Sequence, residues 1–287
     1  MTARTSLSLL LAIGAAAAPA TAQRGLLVVA HGGGPGWNAG VRALVEQVRW
    51  QEGPVATAFL MGAEAEQAGW SPALAKLLAA GVREIVVVPL MVSSHGGHYH
   101  QIRFYAGELD SLPAELREHA HERPVPPPVP TRVTAALDDA PELGVALLER
   151  WRELSAADRR RPLVLVAHGP NADTEAALWL RNLSRAAEPI RAGSKLPVAV
   201  QLLRDDAPAP IRGAAVAELR ATIQRFAAGS ADSVVVLPVL VSTGAIDQVK
   251  IPRDLEGLPI VYRSAQLVRS TAIARWIERS AGQAITP

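Results

Sequence analysis

Leu26-Leu27-Val28-Val29-Ala30-His31-Gly32 is a short apolar run stopped by a histidine and a glycine. It returns 137 residues later as Pro162-Leu163-Val164-Leu165-Val166-Ala167-His168-Gly169. A run this short and apolar throughout suits a β-strand buried on both faces. Its return over so long a period predicts a molecule of two similar halves. The histidine also predicts where chemistry sits, because open parallel sheets bind ligands at the carboxyl ends of their strands, near a change of strand order.

Working outward, Val41, Leu44, Val45 and Val48 fall at helical spacing after a capping Asn38, and Val55–Met61 reads as a second strand. Ser71-Pro72 opens a helix that Gly81 closes, following the preference for proline just inside a helix start and glycine just past its end. Ile85–Val92 is the most strand-like run of the chain. A helix over Tyr99–Leu109, a strand over Arg132–Ala136 and a helix over Pro141–Leu154 complete the first half. The second half retraces this path through strands at Val198–Leu203, Ser233–Val241 and Ile260–Ser264. Strands alternating with helices across short links imply parallel sheets built from right-handed crossovers. The repeat spacing grows to 149 at Pro89 and Pro238, so the second half carries extra residues, which we place around Arg191–Lys195. The expected division is 1–22, 23–157 and 158–287, with Arg159-Arg160-Arg161 in a solvated linker.

Residues 1–22 read as a secretory signal: Arg4, the apolar run Leu7–Ile13, and Ala20-Thr21-Ala22 as a cleavage site. The run is shorter than the ~20 apolar residues of a membrane span, and no comparable segment follows. Export to the periplasm or medium is the expectation. The chain has no cysteine, which excludes disulfides, thiolate metal sites and a lipid-modified cysteine. Formal charge is +2, and +1 without Arg4. Cations are not clustered and aromatic residues are few, so nucleic-acid binding is not expected.

Four of the seven histidines, His31, His95, His98 and His100, belong to strand-end segments of the first half. Imidazole suits divalent first-row metals, often with a carboxylate beside it, and Glu64 is the candidate here. His95 and His98 share a face if the helix begins at the Gly96-Gly97 pair. His119 and His121 lie in a polar stretch and read as surface residues. His168 admits two readings, a functional group or a structural relic of the duplication. Gly34-x-Gly36-x-x-Ala39 lacks the acidic residue that a dinucleotide site needs on its second strand. The chain contains no G-x-S-x-G nucleophile elbow and no phosphate-binding P-loop, which argues against a serine hydrolase or nucleotide hydrolase.

These motifs, in this order, resemble the sirohydrochlorin chelatase family of the CbiX and SirB type. The resemblance rests on His31-Gly32, on Phe59-Leu60 with Glu64, and on Val88-Pro89-Leu90-Met91-Val92-Ser93 followed by glycine and histidine. In the second half it rests on His168-Gly169, Leu202-Leu203 with Asp206, and Val236–Val241 with Gly244 and Ile251-Pro252. It implies a class II chelatase-like α/β fold, with two Rossmann-like halves around a tetrapyrrole cleft. It also implies that His31 and a later histidine, His98 or the competing His95, bind a divalent metal substrate such as Co2+, Fe2+ or Ni2+. Neutral imidazole, with an ordinary pKa of about 6.5, can both ligate and accept a pyrrole proton. Glu64 is expected to receive a proton or orient a histidine. Arg42 and Arg103 are candidates for acidic tetrapyrrole side chains, or are solvated helix cations. The second-half loop Ser242–Asp247 has no histidine, so one working site in the first half is expected. A second class of function stays open: a non-catalytic periplasmic metal- or tetrapyrrole-binding protein. A third is a pseudo-enzyme kept for interaction.

Overall fold

The computed structural model describes residues 23–112, 117, 125–230 and 232–286. The expected signal segment and His119 and His121 lie outside the described residues. In the first half the chain runs β1 (Arg24–Ala30), α1 (Pro35–Val45), β2 (Val55–Phe59), α2 (Ala65–Ala68), α3 (Trp70–Ala79), β3 (Glu84–Leu90), α4 (Gly97–Tyr105), β4 (Thr131–Val133) and α5 (Pro141–Arg152). The second half runs β5 (Leu163–Ala167), α6 (Asp173–Ala186), α7 (Glu188–Gly193), β6 (Val198–Leu202), α8 (Ala209–Ser230), β7 (Val234–Val239), α9 (Ile251–Asp254), β8 (Ile260–Tyr262) and α10 (Thr271–Ile285). Helix α7 is the insertion that lengthens the second half, close to where the repeat spacing puts it.

The strands form two parallel four-stranded sheets of the same order, β2-β1-β3-β4 and β6-β5-β7-β8. Strand order reverses at β1 and at β5, so each switch point lies just beyond a strand-end histidine. Pro89 and Pro238 are tolerated inside central strands because their neighbours stop early. Strand β4 pairs only with residues 85–87 of β3, and β8 only with residues 234–236 of β7. Neither proline therefore costs a ladder hydrogen bond on that side.

Alternation along each strand sends side chains to two different cores. Leu27 and Val29 face an outer core with Trp70, Leu77 and Ile102, while Leu26, Val28 and Ala30 face a central one. The second sheet divides in the same way, with Val164 and Val166 outward and Leu163, Leu165 and Ala167 inward. The central core is common to both sheets and is filled by α1, α5, α6 and α10. The closing helices cross between halves. Helix α10 packs on β3 and α5, and α5 packs on α6 and α7. A Cβ on Gly144 would lie 3.1 Å from the Ala186 carbonyl, so glycine permits that helix crossing. Glu142 of α5 accepts two hydrogen bonds from Arg279 of α10, at 2.6 and 2.8 Å.

The segment between the halves is not a solvated linker. Arg159 donates to the carbonyls of Arg152 and Leu154, Arg161 pairs with Asp232, and the buried Asp158 accepts from Arg263. Free carbonyls at the end of α5 and a buried carboxylate recruit those cations, which composition alone does not reveal.

Trp276 is 2% exposed in the central core. Trp276→Ala is expected to cost about 3–5 kcal/mol, with both halves lost in one urea transition by circular dichroism. Two separate transitions would contradict the shared core. Arg279 also holds the Glu142 carboxyl below its ordinary value near 4.5. A depressed folded-state pKa adds stability above the unfolded value and loses it as pH falls through the folded one. Glu142→Gln is therefore expected to flatten the acid limb of the stability curve below about pH 5, with little change in slope near pH 7.

Candidate metal centre

The turn after β1 sets the first imidazole. Gly32 has φ +91°, and a Cβ there would sit 2.2 Å from the Met61 carbonyl oxygen, so only glycine fits. That conformation folds the Gly32 carbonyl back onto the imidazole, where His31 Nδ1 lies 2.7 Å from the oxygen. A carbonyl only accepts, so Nδ1 carries the hydrogen and Nε2 presents its lone pair. The second half repeats the device: Gly169 has φ +79°, and His168 Nδ1 lies 2.7 Å from the Gly169 carbonyl.

Helix α4 brings the second imidazole. His98 and His31 meet edge-on, with ring centroids 4.6 Å apart and planes at 85°. His98 Nδ1 is 3.0 Å from Gln101 Oε1, one helical turn on, and the buried Gln101 donates its Nε2 hydrogen to Tyr105 Oη at 2.8 Å. That orientation makes Gln101 Oε1 the acceptor, so His98 too presents a bare Nε2. A second ring nitrogen tied to a protein acceptor is the usual arrangement for a metal-ligating histidine.

His95 and His100 do not join this pair. Helix α4 begins at Gly97, so His95 lies before it and shares no helical face with His98. The His95 backbone is held instead: its N–H donates to Ser93 Oγ, and its carbonyl accepts from Trp179 Nε1 of the second half. His100 packs against the Tyr99 ring, 6.3 Å between centroids. Asp138, with φ +46°, anchors the loop by accepting from Ser94 N at 2.8 Å and Ser94 Oγ at 2.6 Å.

Glu64 forms an ion pair with Arg42, which holds its carboxyl below the ordinary range, and Arg42 lies over the Phe59 ring at 4.9 Å. Arg103 pairs with Glu108 at 2.9 Å. The carboxylate whose field reaches both imidazoles is Asp206, from the loop after β6, and His168 lies with it. The groups around His31 and His98 thus come from both halves, not from the first alone, because the shared core brings the two switch points together. The counterpart of His98, counted from Pro89 and Pro238, is Asp247. It is fully buried and accepts from Tyr262 Oη and Ser264 Oγ, so that position in the second half is an internal brace.

Electrostatics divide the groups in two. Burial pushes His31 below its ordinary pKa, helped by His168 and opposed by Gly32 and Asp206. Burial, then the neighbouring His31, pushes His98 down to about 4. Both imidazoles are neutral near pH 7. Burial would lower His168 as well, but the Asp206 carboxylate outweighs it and the net shift is upward. Asp206 is held down to about 2, chiefly by His168. Gln101 and Asp138 escape sequence analysis. For Gln101 the available signal is a polar residue three positions after His98 on one helix face.

The family model described as CbiX matches residues 25–154, the half that carries His31 and His98. Over that half the chain is similar to the CbiX family. The solved structures of similar fold include two of SirB. SirB from Bacillus subtilis with Fe3+ has a TM-score of 0.62 at 16% identity, over 91% of this chain and 95% of that one. The sirohydrochlorin chelatase SirB from Bacillus subtilis subspecies spizizenii in complex with cobalt has a TM-score of 0.60 at 15% identity, over 91% and 94%. DR2241 from Deinococcus radiodurans, a multi-domain protein with structural similarity to chelatases, has a TM-score of 0.55 at 16% identity, over 93% of this chain and 56% of that one. At these identities the likeness establishes the fold. No curated protein sequence matches the chain.

In the first half, Gln101 sets the tautomer of His98. Gln101→Leu removes that acceptor and is expected to weaken Co2+ binding by roughly 10–100-fold without unfolding the chain. Calorimetric titration beside a circular dichroism spectrum checks it, and unchanged affinity would count against the role.

Proposed function

We propose that the chain is a chelatase that inserts a divalent metal ion into a sirohydrochlorin-like tetrapyrrole, with His31 and His98 as its ligands. The observation that carries this reading is the pair of neutral imidazoles, both presenting Nε2 at the switch point of the CbiX half. Metal insertion exchanges one dication for two pyrrole protons. As the ion leaves Nε2 of each imidazole for the pyrrole nitrogens, the two freed lone pairs accept the two protons and pass them to water. Low basicity, imposed by burial, favours the neutral form that ligates and discourages the imidazoles from keeping those protons. Glu64 does not take part in the exchange; it fixes Arg42 over Phe59.

The metal is Co2+ or Fe2+ before Ni2+, an ordering supported by the cobalt and iron of the SirB structures. Nitrogen donors accept all three, and selection follows geometry and supply. We further propose that the reaction takes place after export, on the strength of the pattern from Arg4 to Ala22. Recovery of the chain from the cytoplasm with residues 1–22 intact would count against export. Among the described residues no helix is long and apolar enough to cross a membrane.

Incubation of the protein with sirohydrochlorin and Co2+, followed by visible absorption, tests the activity. Metallation is expected above the spontaneous rate, and His31→Ala and His98→Ala are each expected to lower the gain by about 100-fold or more. Tight stoichiometric metal binding without acceleration would identify a carrier. Metal binding unaffected by either substitution would remove the site.

A further inference from the structure

His168 and Asp206 take no part in the proposed exchange, yet the charges of both act on His31 and His98. We propose that they form a second position for a divalent metal ion, beside His31 and His98. His168 Nε2 lies 3.2 Å from Asp206 Oδ2, and the Gly169 carbonyl already engages Nδ1, so Nε2 is the atom on offer. A structural relic would need the histidine alone. Here a carboxylate from a different strand end converges on its ligating nitrogen. One imidazole nitrogen and one carboxylate oxygen form a mixed donor set suited to first-row dications. The Asp206 side chain is 61% exposed, which leaves room for water to complete the coordination sphere.

The neighbouring carboxylate does not join them. Donor atoms of His168, Asp205 and Asp206 lie within 4.8 Å of one another, the one such group of three among the described residues. Yet Asp205 is 2% exposed and bound by Lys250 and Arg212, so it braces the loop rather than offering a ligand. His31 and His98 stand outside that group of three. Two donor sets result, a nitrogen pair from His31 and His98 and a mixed nitrogen and oxygen set from His168 and Asp206. In the ion-free protein Asp206 favours the protonated form of His168; a dication bound between them takes the place of that proton, which leaves to water. The Asp206 carboxylate also acts on the nitrogen pair. As a docking point for the ion on its way to the imidazole pair, the proposal rests on the chelatase reading. Its test needs no macrocycle.

The full chain is titrated with Co2+ by calorimetry, with visible ligand-field bands reporting nitrogen coordination. The expected result is two ions per chain. Joint His168→Ala and Asp206→Asn lowers this to one, and so does joint His31→Ala and His98→Ala. His168→Gln, which preserves size and hydrogen bonding, serves if the alanine variant unfolds, and it should likewise bind one ion. A single ion in the unsubstituted protein, retained in His168→Gln, would overturn the proposal. Two ions without metallation would uphold this position and remove the chelatase reading; one ion with metallation would do the reverse.

Discussion

Both sheets bury one face against the same layer of helices, and the position of the cleft follows from that shared core. Each sheet has its switch point at its own central strand, beyond Ala30 in one and Ala167 in the other. Isolated halves would carry two unrelated crevices. With α5 lying against α6 and α10 against β3, the two sheets have no freedom to separate, and the loops at their carboxyl ends come to face each other. Contacts at the cleft floor complete the arrangement. Ser242 Oγ donates to the Trp37 carbonyl, and Trp179 Nε1 to the His95 carbonyl, each reaching from the second half to the first. The strand-end histidines are thereby held on rigid elements, as a precise functional site requires.

Much of this was legible in the sequence, for physical reasons that differ from element to element. Strands β1, β3, β5 and β7 are buried on both faces, so their runs are apolar without interruption and could be recognised alone. Strands β4 and β8 are three residues long and partly exposed, so the sequence overextends them to Ala136 and Ser264. The helix start at Gly97, not Tyr99, depends on two glycines whose conformation no periodicity reveals, and that start decides between His98 and His95. The fate of Glu64 was illegible because it depends on Arg42, which helix α1 presents toward the turn after β2. Asp206 was visible as the partner of Glu64 in the repeat. That the second-half carboxylate acts on the first-half histidines is a property of the packing between halves.

The two halves share one backbone device and differ in the chemistry hung on it. Both strand-end histidines retain the following glycine, the positive φ and the hydrogen bond from Nδ1. Their surroundings then diverge. One is paired with an imidazole in an uncharged setting, the other with a carboxylate. The position that could have given the second half its own histidine pair is Asp247, already spent on Tyr262 and Ser264. The same strand-end device thus carries two unlike sets of neighbouring groups.

Pro89 and Pro238 carry a consequence for the loops that follow them. Each sits in a central strand two residues beyond its last pair with β4 or β8, on a backbone nitrogen with no hydrogen to give. The chain skips that rung and rejoins past it: Leu137 and Asp138 donate to the Met91 and Val92 carbonyls, and Leu267 and Val268 to those of Leu240 and Val241. The segment that leads to His98 therefore leaves from a backbone already tied on its open side, and the same tie is made in the second half where no histidine follows.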